Sequence, residues 1–390
     1  MRLFAYGSLS VVLVLYLAQA GLSEARIGLL LTLTLLGDTA VSLWLTTTAD
    51  RFGRRRTLVA GAALMLLAGV VFALTGNFLL LLVAATVGVI SPSGNEVGPF
   101  LAVEQAALTQ VVPGSDRTRV FAWYGLVGSF ATAAGSLAGG AASQALQGTG
   151  ASPLASYRAV VIGYAAFGVL LAALFAGLSR GVEAPAGESA SVARRFGLHR
   201  SRGVVAKLAA VFSLDAFAGG FVVQSLVAYW FHRRFGVEPA ALGGIFFGAN
   251  ILAGISALVA VRVARRIGLV NTMVVTHLPS NVLLLLVPLM PTLPLAVAVL
   301  FLRFSISQMD VPTRQSYTMA VVSPDERSAA AGVTGVARTT GAALSPVIAA
   351  PLFASPALMG VPFFLAGGLK IVYDLVLWRS FRALKPPEEP

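Results

Sequence analysis

The chain has no cysteine. That excludes disulfide frameworks, thiolate metal sites and cysteine nucleophiles together. Histidine is scarce: only His199, His232 and His277 occur, and no two have a metal-ligand spacing. No phosphate-cradling G-x-x-x-x-G-K-[ST] loop occurs, which argues against ATP-driven pumping by this chain alone. No Ser/Lys, paired-Asp or His-based catalytic grouping stands out, so neither an enzyme nor a bound cofactor is expected. Charge is scarce as well. Only 11% of the 390 residues are charged and 57% are hydrophobic, against about 25% and 45–50% in soluble domains. A soluble chain of this length would form two or more polar-coated domains. There is too little polar material to coat them. With a mean hydropathy of +0.84, lipid is the expected solvent.

What is present is a series of long apolar runs. A transmembrane helix takes about 20 mostly apolar residues. That ruler gives twelve spans: 3–20, 27–49, 57–75, 78–103, 118–142, 157–179, 208–231, 239–261, 269–289, 294–318, 329–354 and 361–380. The expected fold is therefore all-α and integral to the membrane. Turn chemistry separates several spans, as at Thr75-Gly76-Asn77, Pro113-Gly114-Ser115-Asp116 and Ser323-Pro324-Asp325. The first run, closed by Ala18-Gln19-Ala20, also fits a signal peptide. An internal repeat pairs it with span seven and argues that it is retained.

The net charge of +12 would suggest nucleic acid in a soluble protein. Its placement says otherwise. With both termini cytoplasmic, 20 of the 28 Lys and Arg fall on the cytoplasmic side and four on the other. This asymmetry sets the orientation in an inner (plasma) membrane, and nucleic acid is not needed to explain the charge. The longest polar stretch, 181–207, falls between spans six and seven. It divides the chain into halves 1–180 and 208–390, the second ending in a tail, Lys385–Pro390, that reads as disordered.

The halves repeat. Gly21–Gly28 returns as Gly236–Gly243, an offset of 215, and Asp50-Arg51-Phe52-Gly53 meets Arg265-Arg266-Ile267-Gly268 at the same offset. Glu104-Gln105 through Arg117 matches Arg314-Gln315 through Arg327 at offset 210. Two parallel six-helix repeats are a transporter signature, with the substrate bound between them near the midplane.

The loop between spans two and three reads Asp50-Arg51-Phe52-Gly53-Arg54-Arg55-Arg56. Here the chain resembles the major facilitator superfamily, over its whole length. That family's loop signature is G-x-x-x-[DN]-R-x-G-R-[RK], with Thr46 standing where the first Gly is expected. The resemblance implies twelve helices in two pseudo-symmetric halves, a monomer, a small-molecule substrate and alternating access. It implies a latch in which Asp50 faces a helix N-terminus of the other half, while Arg51, Arg54 and Arg55 add charge-assisted bonds around Gly53. It also implies that Glu104 pairs with Arg54 or Arg55. Span five carries Gly135-Ser136-Leu137-Ala138-Gly139-Gly140, where proton-exchanging members show G-P-x-x-G-G. Plain small-residue packing explains that run equally well. The R-x-x-Q-G pattern of exchangers is missing from span four. Span ten holds Arg303, Gln308 and Asp310 instead.

Ionisable residues inside a span are costly and face a cavity or a partner. Glu96 sits in the polar, helix-breaking stretch Ser91–Pro99 of span four, beside Asn95. It is the leading proton or substrate carboxylate, the alternative being a bond to a broken helix end. Asp310 is the second candidate, and Arg314, four residues on, can pair with it. Arg314 is also a gate candidate. Asp38, near mid-membrane, is open between a functional and a packing role. So is Asp215, before Gly219-Gly220, between a gate and a helix–helix hydrogen bond. Arg303 and Arg338 are candidate substrate or carboxylate partners, with Gln308 beside them. Lys370 and Asp374 read as a self-satisfied i, i+4 pair, and His277 as a packed residue. Tyr6, Gln224, Asn250 and Tyr317 could line a pore, and Trp123 and Tyr124 could do so or anchor at an interface.

The expectation is proton-linked export of a small organic molecule. The alternatives are a metabolite facilitator or importer without proton coupling, and a non-transporting membrane sensor whose central loop holds a partner.

Overall fold

The computed structural model describes residues 1–113, 116–183, 198–323, 326–382 and 384. The middle of the central loop, the tips of two expected turns and the C-terminal tail lie outside them. So do the side chains of Arg117, Thr118, Arg119, Ala122 and Arg180.

The described residues are almost wholly helical: α1 Arg2–Gln19, α2 Glu24–Phe52, α3 Arg54–Leu74, α4 Phe78–Val87, α5 Phe100–Val111, α6 Arg117–Gly148, α7 Pro153–Ala176, α8 Arg202–Gly220, α9 Gln224–Phe235, α10 Pro239–Ile267, α11 Leu269–Leu286, α12 Leu293–Ser307, α13 Asp310–Ala320, α14 Arg327–Leu344, α15 Pro346–Leu352 and α16 Val361–Phe381. Among them, nine stretches are long and apolar enough to cross a membrane, with α8–α9 and α12–α13 each forming one. The broken pair α4–α5, the long α6 and the pair α14–α15 lie at the other three expected spans.

Local chemistry sets the ends. Ser23 caps α2 by accepting from the Arg26 N–H, with Glu24 in the first turn. Asn77 caps α4 through the N–H groups of Leu79 and Leu80. Ser152 caps α7, with Pro153 in its first turn. Gly53, at φ 97°, makes the sharp corner between α2 and α3. The expected single span 78–103 is two shorter helices. Pro92 lacks an N–H, and Gly94 and Gly98 take positive φ of 74° and 79°.

Contacts divide the chain into two compact units: Met1–Val192 with Val223–Phe247, and Ala193–Val222 with Gly248–Pro390. In the first unit α1 packs on α6 and α7, α3 on α7, and α2 on α4. Glycine makes the α1–α6 approach possible. A methyl on Gly7 would sit 2.1 Å from the Thr132 carbonyl oxygen, and one on Gly135 1.9 Å from that of Phe4. α9 belongs to this unit because it lies along α1.

The second unit repeats the scheme. α8 packs on α14, and α11 on α16 and α12. First span on fifth and third on sixth thus recur as seventh on eleventh and ninth on twelfth. Its core holds Leu208, Phe212, Met273, Tyr317, Tyr373 and Leu377.

Candidate functional site

In the first unit the broken span four places its polar stretch beside α1. Tyr6 donates its hydroxyl to the Val97 carbonyl at 3.4 Å, and Thr132 of α6 donates to that of Gly94 at 3.3 Å. Asp38 of α2 closes the break by accepting from the Gly98 N–H at 2.7 Å and from Ser42 at 3.3 Å. Asp38 thereby satisfies backbone freed by the break.

Glu96 faces Arg2. The guanidinium makes a two-bond fork to it, at 3.0 and 2.8 Å. A third bond, at 2.5 Å, goes to Glu104. Tyr124 donates its hydroxyl to the other oxygen of Glu104. One side-chain cation therefore serves two carboxylates, with 9% of the Arg2 side chain exposed against 20% and 17% for Glu96 and Glu104. The α-amino group of Met1 lies in the same field, but on an exposed residue where solvent screens it. The expected pairing of Glu104 with the loop arginines is corrected, because Arg2 is buried within reach and takes it instead. Asn95 is exposed and joins neither group.

Arg54 holds Asp50 at 2.8 Å, one helical turn apart across the Gly53 corner. The N-terminus of α3 has a different acid. Glu183 accepts from the N–H groups of Arg54 and Arg55, at 2.6 and 3.3 Å, where the helix dipole favours negative charge. Gln110 ties the same corner to the Glu183 carbonyl at 2.8 Å and accepts from Arg54 at 2.8 Å. Arg51 is exposed. Glu183 was not distinguishable in the sequence from other loop acids.

Within the span-five run, Ser136 accepts from the Gln224 side chain at 3.2 Å, and Ser10 accepts from it at 2.8 Å. The glycines of this run are explained by close packing. Those at 135 and 139 meet α1 backbone, and Gly140 meets the Pro239 carbonyl.

The second unit gathers more charge. Asp215 of α8 accepts from Lys370 of α16 at 2.5 Å and from Arg314 of α13 at 3.4 Å. Arg314 also holds Asp310, at 2.7 Å, so the pair expected from their spacing forms. The expected Lys370–Asp374 pair is corrected. Asp374 accepts from Asn281 at 2.8 Å and lies 2.8 Å from Nδ1 of His277, which leaves Lys370 to Asp215. His277 Nε2 is 3.8 Å from Asp215, so this histidine bridges two carboxylates and is more than a packed residue. Tyr317 is a core residue donating to the Leu384 carbonyl at 3.0 Å.

Arg303 and Arg338 lie within electrostatic range of Asp215 and Asp310. Each has a buried Nε with no hydrogen-bond partner. Gln308 ends α12, its N–H donating to Ser256 at 3.3 Å.

Known proteins carry the same architecture. Residues 1–346 match the sequence profile of the Major Facilitator Superfamily. An uncharacterized membrane protein of Saccharomyces cerevisiae, YJR124C, is 31% identical over 407 residues, covering 97% of this chain and 91% of its own. A bacterial homolog of the human lysosomal transporter Spinster, inward-facing and occupied, superposes with a TM-score of 0.73 at 17% identity, covering 98% of this chain and 94% of that one. A D-xylose-proton symporter also gives 0.73, at 14% identity and coverage of 97% and 94%. The chain belongs to the Major Facilitator Superfamily: it is a multi-pass membrane protein of a transporter family whose members carry small molecules.

Proposed function

We propose that this protein is a secondary active transporter that exports a small organic molecule in exchange for protons, by alternating access. The halves 1–180 and 208–390 would be the moving bodies, the 181–207 segment their connection, and a monomer the working unit. The observation that carries proton coupling is the Arg2–Glu96–Glu104 group. Among the described residues Glu96 and Glu104 share one side-chain cation, and a carboxylate in that position can take up a proton and leave the cation still paired. Glu96 lies at the helix break, where irregular backbone is tolerated beside protein or a water-filled cavity, so it is the assigned proton carrier. Asp310, bonded to Arg314, is second. Export is the direction suggested by the likeness of Gly135–Gly140 to the run of proton-exchanging members, beside the close packing that the same glycines serve. An inner (plasma) membrane with cytoplasmic termini is supported by the 20-to-4 division of basic residues.

The test is a proton gradient in everted vesicles containing the protein, followed with a pH-sensitive dye. Cationic, zwitterionic and anionic compounds are added in turn. One class should collapse the gradient, and Glu96→Gln should prevent it. Full coupling in both Glu96→Gln and Asp310→Asn would sink the assignment. Flux of a labelled compound with no proton movement would instead establish the uncoupled facilitator.

A further inference from the structure

The second unit has a cavity of about 690 Å³ at the ends of four of its spans. α10 ends at Ile267, α11 starts at Leu269, α13 ends at Ala320 and α16 ends at Phe381, and all four residues line it. Because these helices are membrane spans, the cavity sits at one face of the bilayer. Arg265, Arg266 and Arg382 line it too, and none of its lining residues is an acid. Among the described residues none of the three arginines has a carboxylate within 4.0 Å. The Arg382 guanidinium lies 4.3 Å from the centre of the exposed Trp378 ring, an aromatic suited to the lipid–water interface.

The first unit shows how the chain neutralises the matching corner. Gly53 and Gly268, at the offset of 215, each turn the chain at positive φ, 97° and 82°. In the first unit Asp50 holds Arg54 at 2.8 Å, and Glu183 accepts from the N–H groups of Arg54 and Arg55. At the same offset the counterpart of Asp50 is Arg265. The repeat keeps the corner and reverses the charge. Three like charges around one cavity disfavour one another, and an anion between them removes that cost. A guanidinium fork matches a phosphate with two parallel bonds.

The rest of the lining selects the kind of phosphate. Val261, Ile267 and Leu384 line the same cavity and are exposed. A free phosphate gains nothing from them. A phospholipid places its headgroup on the arginines and its acyl chains over the apolar side chains. We infer that this cavity binds the headgroup of an anionic phospholipid, with Arg265, Arg266 and Arg382 around the phosphate. The site is independent of the carrier reading above and of proton exchange.

The test uses the full chain in dodecyl maltoside micelles, titrated with dioleoyl phosphatidylglycerol or dioleoyl phosphatidylcholine. The acyl chains are identical, so the headgroup is the variable. Native mass spectrometry reads the affinity of the first bound lipid. Phosphatidylglycerol should bind roughly tenfold or more tighter. Arg265→Gln, Arg266→Gln and Arg382→Gln should each weaken it roughly fivefold, the effect of one basic side chain at a lipid surface, and leave phosphatidylcholine unmoved. Arg200→Gln, an exposed arginine elsewhere in the unit, should change neither. Should a Gln variant fail to fold, high salt on the parent should erase most of the preference by screening. Inorganic phosphate and glycerol 3-phosphate are the soluble arms. The inference is overturned by equal affinity for the two lipids, or by three variants that keep the parent's preference. It is overturned as well if either soluble phosphate binds as tightly as phosphatidylglycerol, which would assign the cavity to a free anion. A preference seen only when Glu388→Gln and Glu389→Gln are combined would assign the arginines to the chain's own acids and overturn it too.

Discussion

Lys370 reaches from α16 to Asp215 of α8, at 2.5 Å, although Asp374 stands four residues away on its own helix. The choice follows from what surrounds each acid. Asp374 is already satisfied by Asn281 and His277, whereas Asp215 has Arg314 at 3.4 Å and His277 at 3.8 Å. Breaking a buried pair from one side leaves an uncompensated charge, at a cost of about 3 kcal/mol. Lys370→Met should therefore lower the unfolding temperature markedly in detergent. Lys370→Met with Asp215→Asn should recover most of the loss. A single variant as stable as the parent would show that Arg314 alone suffices for Asp215.

The α1–α6 seam makes a prediction of opposite signs on one helix. A methyl on Gly135 would lie 1.9 Å from the Phe4 carbonyl oxygen, and backbone cannot yield as a side-chain tip can. Gly135→Ala should destabilise by about 1–3 kcal/mol or more, as overpacking does. Gly125, also within α6, has nothing within 4 Å of the added methyl. Gly125→Ala should stabilise by about 0.5–1 kcal/mol through helix propensity. Thermal unfolding of both variants checks the pair, and equal effects would contradict the seam.

The fold was legible in the sequence because lipid leaves few choices. Long apolar runs must become helices that satisfy their own backbone, and the 215-residue offset announced the two halves. The breaks were less legible. Pro92, Gly94 and Gly98 marked the interruption of span four, whereas the break between α8 and α9 has only Gly219-Gly220 beside it, with no proline. Partners across long separations were least legible of all. Asp310 and Arg314 were found because helical spacing brings them together. Arg2, one of the 20 basic residues counted on the cytoplasmic side and just ahead of span one, is 8% exposed and binds acids 94 and 102 residues away. Nothing in local periodicity encodes such a meeting. Lys370 was assigned to its helical neighbour for the same reason.

The shared guanidinium of Arg2 predicts a non-additive pair. Arg2→Gln removes the side-chain cation that Glu96 and Glu104 share among the described residues, and like charges at close range destabilise each other. Glu104→Gln removes one of them. The double variant should therefore be more stable than Arg2→Gln alone, with a coupling of about 1 kcal/mol or more. A double-mutant cycle on unfolding temperature measures it. Simple additivity would mean that Glu96 and Glu104 do not share the cation in solution.

Glu326 makes the last prediction, at the start of α14 outside the spans. Its carboxylate accepts from the N–H groups of His199, Arg200 and Ser201, the latter two at 2.9 Å. The Ser201 hydroxyl and these N–H groups hold it down at about 2, against about 4.3 for an unperturbed glutamate. These donors favour the ionised form, so the folded state binds that proton later than the unfolded chain does as the pH falls. The sign is that of a depressed acid: the stabilisation is complete above the unfolded value and is lost as the pH drops through the folded one. Glu326→Gln removes the ionised acceptor. The gap in unfolding temperature between parent and variant should be constant above about pH 5 and should shrink between about 4.3 and about 2. A gap that stays constant across that window would show that the carboxylate does not hold the 199–201 segment by its charge.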